Sequence, residues 1–102
     1  MSIDVTVIIP VHNTGRGVLA GLESLRAQTL PRSRFEVIYV DDGSTDGTGE
    51  LLDTELAGEE NFSVVHIENS GWPGRPRNIG IDRARGEYLF FMDDDDYLAR
   101  KP

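Results

Sequence analysis

Residues 35–48 read FEVIYVDDGSTDGT. The first six form a short, nearly continuous apolar run rich in β-branched and aromatic side chains. Such continuity suits a strand covered on both faces, which usually means a parallel strand. Two aspartates follow, then a segment of Gly, Ser, Thr and Asp. Those residue types make turns and cap helices. A buried strand that leaves through a polar turn into a helix is the repeating unit of an open α/β sheet.

The same grammar extends in both directions. Apolar runs recur as VTVIIPV at 5–11, FSVVHI at 62–67 and EYLFFM at 87–92. Between the first two strands, Val18, Leu19, Leu22 and Leu25 fall at helix spacing within 16–29, and Pro31 marks the exit. A second helix is predicted to start at Ser44–Asp46 and run to Leu56. A third should cover Pro76 to Arg85, with Pro76 in its first turn and Gly86 as the stop. The order β-α-β-α-β-α-β predicts a mostly parallel, Rossmann-like sheet with helices on both faces. Right-handed crossovers favour the strand order 3-2-1-4.

Composition bounds the function. The chain has 102 residues, a net charge of -8 and no cysteine, which excludes disulfides and thiolate metal sites. With ten basic residues against eighteen acidic ones, it lacks the basic footprint of a nucleic-acid binder. No basic segment precedes the first apolar run, which is too short for a membrane span. A cytoplasmic protein, peripheral to a membrane at most, is expected.

Chemistry-bearing residues follow each strand: Pro10, His12 and Asn13; Asp41, Asp42, Gly43 and Ser44; Asn69, Ser70 and Gly71; and Asp93 to Asp96. In a parallel sheet all four groups lie at one carboxyl edge, and ligands bind in the crevice where strand order reverses. Four adjacent carboxylates repel one another, and a hard cation such as Mg²⁺ or Mn²⁺ would relieve that repulsion. Alternation along an extended segment lets Asp93 and Asp95 share a face. The competing reading is a solvated acidic turn, which explains less when it directly follows a buried strand. For Asp41 and Asp42, a carboxylate could accept the imide N–H of uracil or a ribose hydroxyl, whereas Ser44 to Thr48 reads as ordinary turn. Arg75 and Arg77 bring planar cations suited to a diphosphate, or they simply offset the aspartates. Trp72 is either a loop anchor or a platform for a sugar. His66, inside a strand, reads as a packing or hydrogen-bonding residue.

VTVIIPVHN, EVIYVDDGSTDGT and PRNIGIDRARGEYLFFMDDDD, in this order and spacing, resemble the N-terminal part of the family-2 inverting glycosyltransferases of GT-A fold. The likeness runs over nearly the whole chain. The loop NSGWPGRPRN at 69–78 is similar to that of enzymes acting on teichoic-acid-type polyol phosphates. The resemblance implies a UDP-sugar donor, a divalent metal (Mn²⁺ or Mg²⁺), and transfer with inversion to a saccharide or polyol phosphate acceptor. It implies that Pro10, His12 and Asn13 line the nucleotide pocket, and that Asp42, with Asp41, binds uracil or ribose. Asn69 would approach the base and Arg77 the diphosphate. Asp93 and Asp95 would form the D-x-D pair, Asp95 as the direct metal ligand and Asp93 nearer the ribose, with Asp94 between them and Asp96 in support. The family takes its general base from a later segment, so residues 1–102 are expected to be the donor-binding part alone, its last strand left as an edge open to self-association.

Two other readings compete. A non-catalytic nucleotide-binding or regulatory module would share the scaffold but has less need of D-x-D. A nucleotidyltransferase would carry a glycine-rich, basic loop after the first strand, where VHNTGRG offers only Arg16 and two glycines.

Overall fold

The computed structural model describes residues 3–71 and 74–94. Four strands, β1 (Val5–Val11), β2 (Phe35–Asp42), β3 (Phe62–Ile67) and β4 (Tyr88–Phe91), form one sheet ordered β3-β2-β1-β4. Every pairing is parallel. The expected architecture and strand order are therefore present.

Burial follows position in the sheet. All eight residues of central β2 are buried: the apolar run of 35–40, as expected, and also Asp41 and Asp42. Alternate residues serve opposite faces. Val7, Ile9 and Val11 of β1 and Phe35, Val37 and Tyr39 of β2 pack with Val18, Leu22 and Leu25 of α1 (Val18–Arg26) and Leu52 and Leu56 of α2 (Thr48–Leu56). On the other face lies α3 (Gly74–Arg83). Its approach is close: a Cβ on Gly80 would stand 2.4 Å from Ile8 Cγ2, so only glycine lets this helix sit at that depth.

Helix limits differ from the sequence expectation for local reasons. A single 3-10 turn at Gly15–Gly17 precedes α1, which ends at Arg26. The start of α2 is delayed to Thr48, because Gly47 adopts a left-handed φ of 95° and Asp46 Oδ1 accepts the Thr48 N–H at 3.0 Å. The N-cap is thus Gly47, with no side-chain cap, rather than a residue of the 44–46 segment. The third helix begins two residues before Pro76 and stops at Arg83.

A polar clasp joins the exit of α3 to the sheet. Glu36, 4% exposed, accepts hydrogen bonds from the Thr6 hydroxyl at 2.7 Å, the Arg85 backbone N–H at 2.5 Å and Arg85 Nε at 3.0 Å. Burial pushes this carboxyl up. The hydrogen bonds and the Arg85 charge outweigh that and hold it below the ordinary glutamate value.

At the β1 side the sheet ends in β4, whose Tyr88, Leu89, Phe90 and Phe91 are all exposed. Phe90 borders an apolar hollow of about 130 Å³ near the amino edge, with Val5, Val7, Leu25, Leu30 and Phe35. Among the described residues no helix is long and apolar enough to cross a membrane.

Candidate functional site

The parallel register aligns Val11 with Asp41 and Asp41 with His66, so β1, β2 and β3 end together. At this carboxyl edge lies a cavity of about 220 Å³, on the α3 side of the sheet. Pro10, Val11, His12, Asp42, Pro76, Arg77, Asp93 and Asp94 line it. Six residues singled out from sequence thus converge from four separate segments: Pro10, His12, Asp42, Arg77, Asp93 and Asp94. Asn13 and Asn69 stand beside His12 rather than on the wall, and Asp41 is elsewhere.

His12 is the hub of one wall. Its Nδ1 lies 2.8 Å from the Asp42 carbonyl, which can only accept, so Nδ1 carries the proton. Its Nε2 faces Asn13 Nδ2 at 3.4 Å and Asn69 Nδ2 at 3.3 Å. Neither amide can be reversed without loss. Asn13 Oδ1 accepts the Thr45 N–H at 2.7 Å, and Asn69 Oδ1 accepts the Gly71 N–H at 2.8 Å. Both NH₂ groups are therefore committed to His12, and Nε2 is an acceptor. One tautomer satisfies the whole network.

Backbone geometry makes these contacts possible. Asn13 adopts a left-handed φ of 52°, a conformation asparagine tolerates better than most residues. Gly43 has φ 71°, and a Cβ there would fall 2.5 Å from the Asn69 backbone nitrogen. The turn after β2 can press against the β3 loop only because this residue is glycine. Ser44 Oγ accepts the Asn13 N–H at 2.9 Å, and Thr48 Oγ1 accepts the Gly15 N–H at 2.7 Å. The segment read as plain turn also braces the loop after β1.

The adjacent aspartates separate. Asp42, 8% exposed, accepts the Ser70 N–H on Oδ1 at 2.9 Å and the Ser70 hydroxyl on Oδ2 at 3.0 Å. Each oxygen keeps a further lone pair for a ligand. Asp41 turns to the α2 face, where Oδ1 accepts the Ser44 N–H at 3.0 Å and Oδ2 lies 2.8 Å from His66 Nδ1.

On the opposite wall, Arg77 Nη2 lies 3.9 Å from Asp93 Oδ1, with both side chains well exposed. Asp94 accepts a hydrogen bond from the Thr14 hydroxyl, which ties the β4 exit to the β1 loop. Thr14 carried no signal in the sequence beyond its place after a strand. The residues Trp72, Asp95 and Asp96 lie outside the described residues, so the Asp93–Asp95 pairing is not on view. Among the described residues no three His, Cys, Asp or Glu side chains gather to hold a metal. The donors present still fit a hard cation: Asp93 offers exposed carboxylate oxygen at the cavity mouth, and such ions often take one or two carboxylates plus phosphate oxygens.

A model of the family "Glycosyl transferase family 2" matches residues 6–101. The poly(ribitol-phosphate) beta-N-acetylglucosaminyltransferase TarS of Staphylococcus aureus is 39% identical over 97 residues, which is 94% of this chain and 17% of that protein. The poly(ribitol-phosphate) beta-glucosyltransferase of Bacillus spizizenii is 42% identical over 96 residues, 93% of this chain and 15% of the relative. A crystal structure of TarS with UDP-GlcNAc superposes with a TM-score of 0.87 at 38% identity, covering 93% of this chain and 27% of the other. A mannosyltransferase, PcManGT of Pyrobaculum calidifontis, in complex with GDP-Man and Mn²⁺, gives a TM-score of 0.84 at 25% identity, covering 98% and 30%. The chain thus spans less than a third of each of these proteins, and it belongs to glycosyl transferase family 2.

Proposed function

We propose that this chain binds the nucleotide-sugar donor, a UDP-sugar, for a metal-dependent glycosyltransferase that passes the sugar to an acceptor hydroxyl with inversion. The observation that carries this reading is the convergence of His12, Asp42, Arg77, Asp93 and Asp94 on one cavity at the carboxyl edge. UDP is favoured over GDP because the relative crystallised with UDP-GlcNAc is 38% identical, against 25% for the one holding GDP-Man. TarS and the B. spizizenii enzyme are both named for poly(ribitol-phosphate), which supports a polyol phosphate acceptor over a saccharide.

Each wall then has a task. Asp42, backed by Ser70, accepts the imide N–H of the base or a ribose hydroxyl. His12, locked by Asn13 and Asn69, presents a fixed flat surface beside it. Arg77 meets the diphosphate with its planar fork. Asp93 and Asp95 would hold Mn²⁺ or Mg²⁺, which when bound neutralises charge on the departing nucleoside diphosphate. Acceptor binding and the general base are assigned to parts of the longer architecture that the relatives possess. The exposed β4 edge belongs to the same proposal as a surface for self-association, measurable by light scattering as a mass that rises with concentration.

The test is calorimetric titration of UDP into the chain with Mn²⁺, with EDTA, and with an Asp95→Ala variant. Binding that requires both the metal and Asp95, and that exceeds GDP binding, is expected. A folded chain that binds UDP equally well in EDTA would overturn the metal assignment, and one that binds neither nucleotide would overturn the donor site.

A further inference from the structure

The cluster of His66, Asp41 and Asp53 lies outside the cavity and has no part in the roles above. His66 Nδ1 is 2.8 Å from Asp41 Oδ2, and Nε2 is 2.9 Å from Asp53 Oδ1. A carboxylate oxygen can only accept, so satisfying both contacts requires a proton on each ring nitrogen. Hydrogen bonds donated by the ring to Asp53 first and to Asp41 second push the His66 pKa up, against a smaller downward effect of burial.

Asp41 carries the effect inward. Its side chain is 6% exposed, and a Cβ on Gly49 would fall 2.4 Å from Oδ2, so little room remains for a replacement partner. Its other oxygen holds the Ser44 N–H at 3.0 Å. Ser44 Oγ accepts the Asn13 N–H, and the Asn13 amide faces His12. An unbroken series of hydrogen bonds therefore runs from β3 to the cavity wall.

We infer that His66 is a positioning residue for the donor site: it holds Asp41, which fixes Ser44 and through it the loop that sets Asn13 against His12. This rests on the donor-site reading above. The charged groups facing the ring are Asp41 from β2 and Asp53 from α2. When the ring loses a proton as pH rises, one N–H remains for two carboxylates. It stays with Asp41, because Asp53 is 54% exposed and water can solvate it. The support of the site thus survives titration, and only the tether to α2 is released.

Two substitutions separate these contacts on the intact chain. His66→Asn places an amide donor near the Nδ1 position, toward Asp41, whereas His66→Gln places it near Nε2, toward Asp53. The readouts are the amide NMR signals of Ser44 and Asn13 and the affinity for UDP with Mn²⁺. His66→Asn should leave both amides near their wild-type positions and UDP affinity within about twofold. His66→Gln should shift both amides and weaken UDP by about tenfold, the order seen when a group supporting a ligand-binding residue is removed. Asp53→Asn should leave Ser44 unmoved. Equal effects of the two His66 variants, or an unmoved Ser44 amide in folded His66→Gln, would overturn the inference. Should the wild-type chain bind no UDP, the donor reading fails, while the Ser44 and Asn13 amides still decide whether His66 governs the loop.

Discussion

Asp41 and Asp42, neighbours at the end of β2, send their carboxylates to opposite faces of the sheet: Asp41 to His66 and Ser44, Asp42 to Ser70 and the cavity. Strand alternation is the cause, since β2 remains extended through Asp42. Two acids that look equivalent in sequence thus have separable consequences.

Replacing each by asparagine should show this. In Asp42→Asn the remaining carbonyl oxygen can still accept from Ser70, so stability should change by less than about 1 kcal/mol, while UDP affinity falls about tenfold through loss of a charged acceptor. In Asp41→Asn a buried acceptor is lost beside His66, and stability should fall by about 1.5–3 kcal/mol. Thermal unfolding and calorimetry on the same samples check both. Equal affinity losses with equal stability losses would contradict the division.

Gly43→Ala tests the close approach of the β2 turn to the β3 loop. The new methyl meets the Asn69 backbone 2.5 Å away, at a φ of 71°. Backbone strain alone is of order 1–3 kcal/mol, and the overlap adds to it. A loss of about 2 kcal/mol or more is expected, with displaced Asn69 and Gly71 amide signals. Wild-type stability would show that the turn relaxes freely.

Stability in acid should report on Glu36. Its folded pKa lies below the ordinary value of 4.5, so its contribution is present above that value and is lost as pH falls through the folded one. Glu36→Gln lacks this titration. The difference in Tm between wild type and variant should be largest near pH 6 and shrink toward about pH 3. A difference independent of pH would mean that Glu36 acts by shape alone.

The continuous apolar character of 5–11 and 35–40 made the parallel sheet legible, and the position of polar residues after each strand made its carboxyl edge legible. What escaped was direction. Ending β2 at Val40 in the reading of the sequence left Asp41 and Asp42 as loop residues free to face one ligand. Two more strand residues impose opposite faces on them. The role of Ser44 and Thr48 escaped for a related reason. Their partners, Asn13 and Gly15, are more than thirty residues away and meet them only across the aligned strand ends. His66 reads from sequence as a packing or hydrogen-bonding residue, and it does hydrogen-bond, but its partners Asp41 and Asp53 are set by what β2 and α2 bring to it.

Under the proposed function, Arg77 offers the sharpest division between base and phosphate recognition. Its guanidinium lies 3.9 Å from Asp93, a weak and exposed contact that a diphosphate can replace. Arg77→Gln should therefore cost little stability, within about 0.5 kcal/mol. It should weaken UDP by about tenfold or more, because charge-assisted, bidentate bonds to phosphate are lost, and leave uridine affinity within about twofold. Arg77→Lys should recover part of the UDP loss, since the charge returns without the fork. The measurement is the ratio of UDP to uridine affinity across the three proteins. If that ratio stays at its wild-type value in Arg77→Gln, the diphosphate lies elsewhere along the carboxyl edge, and the assignment of this wall to phosphate falls.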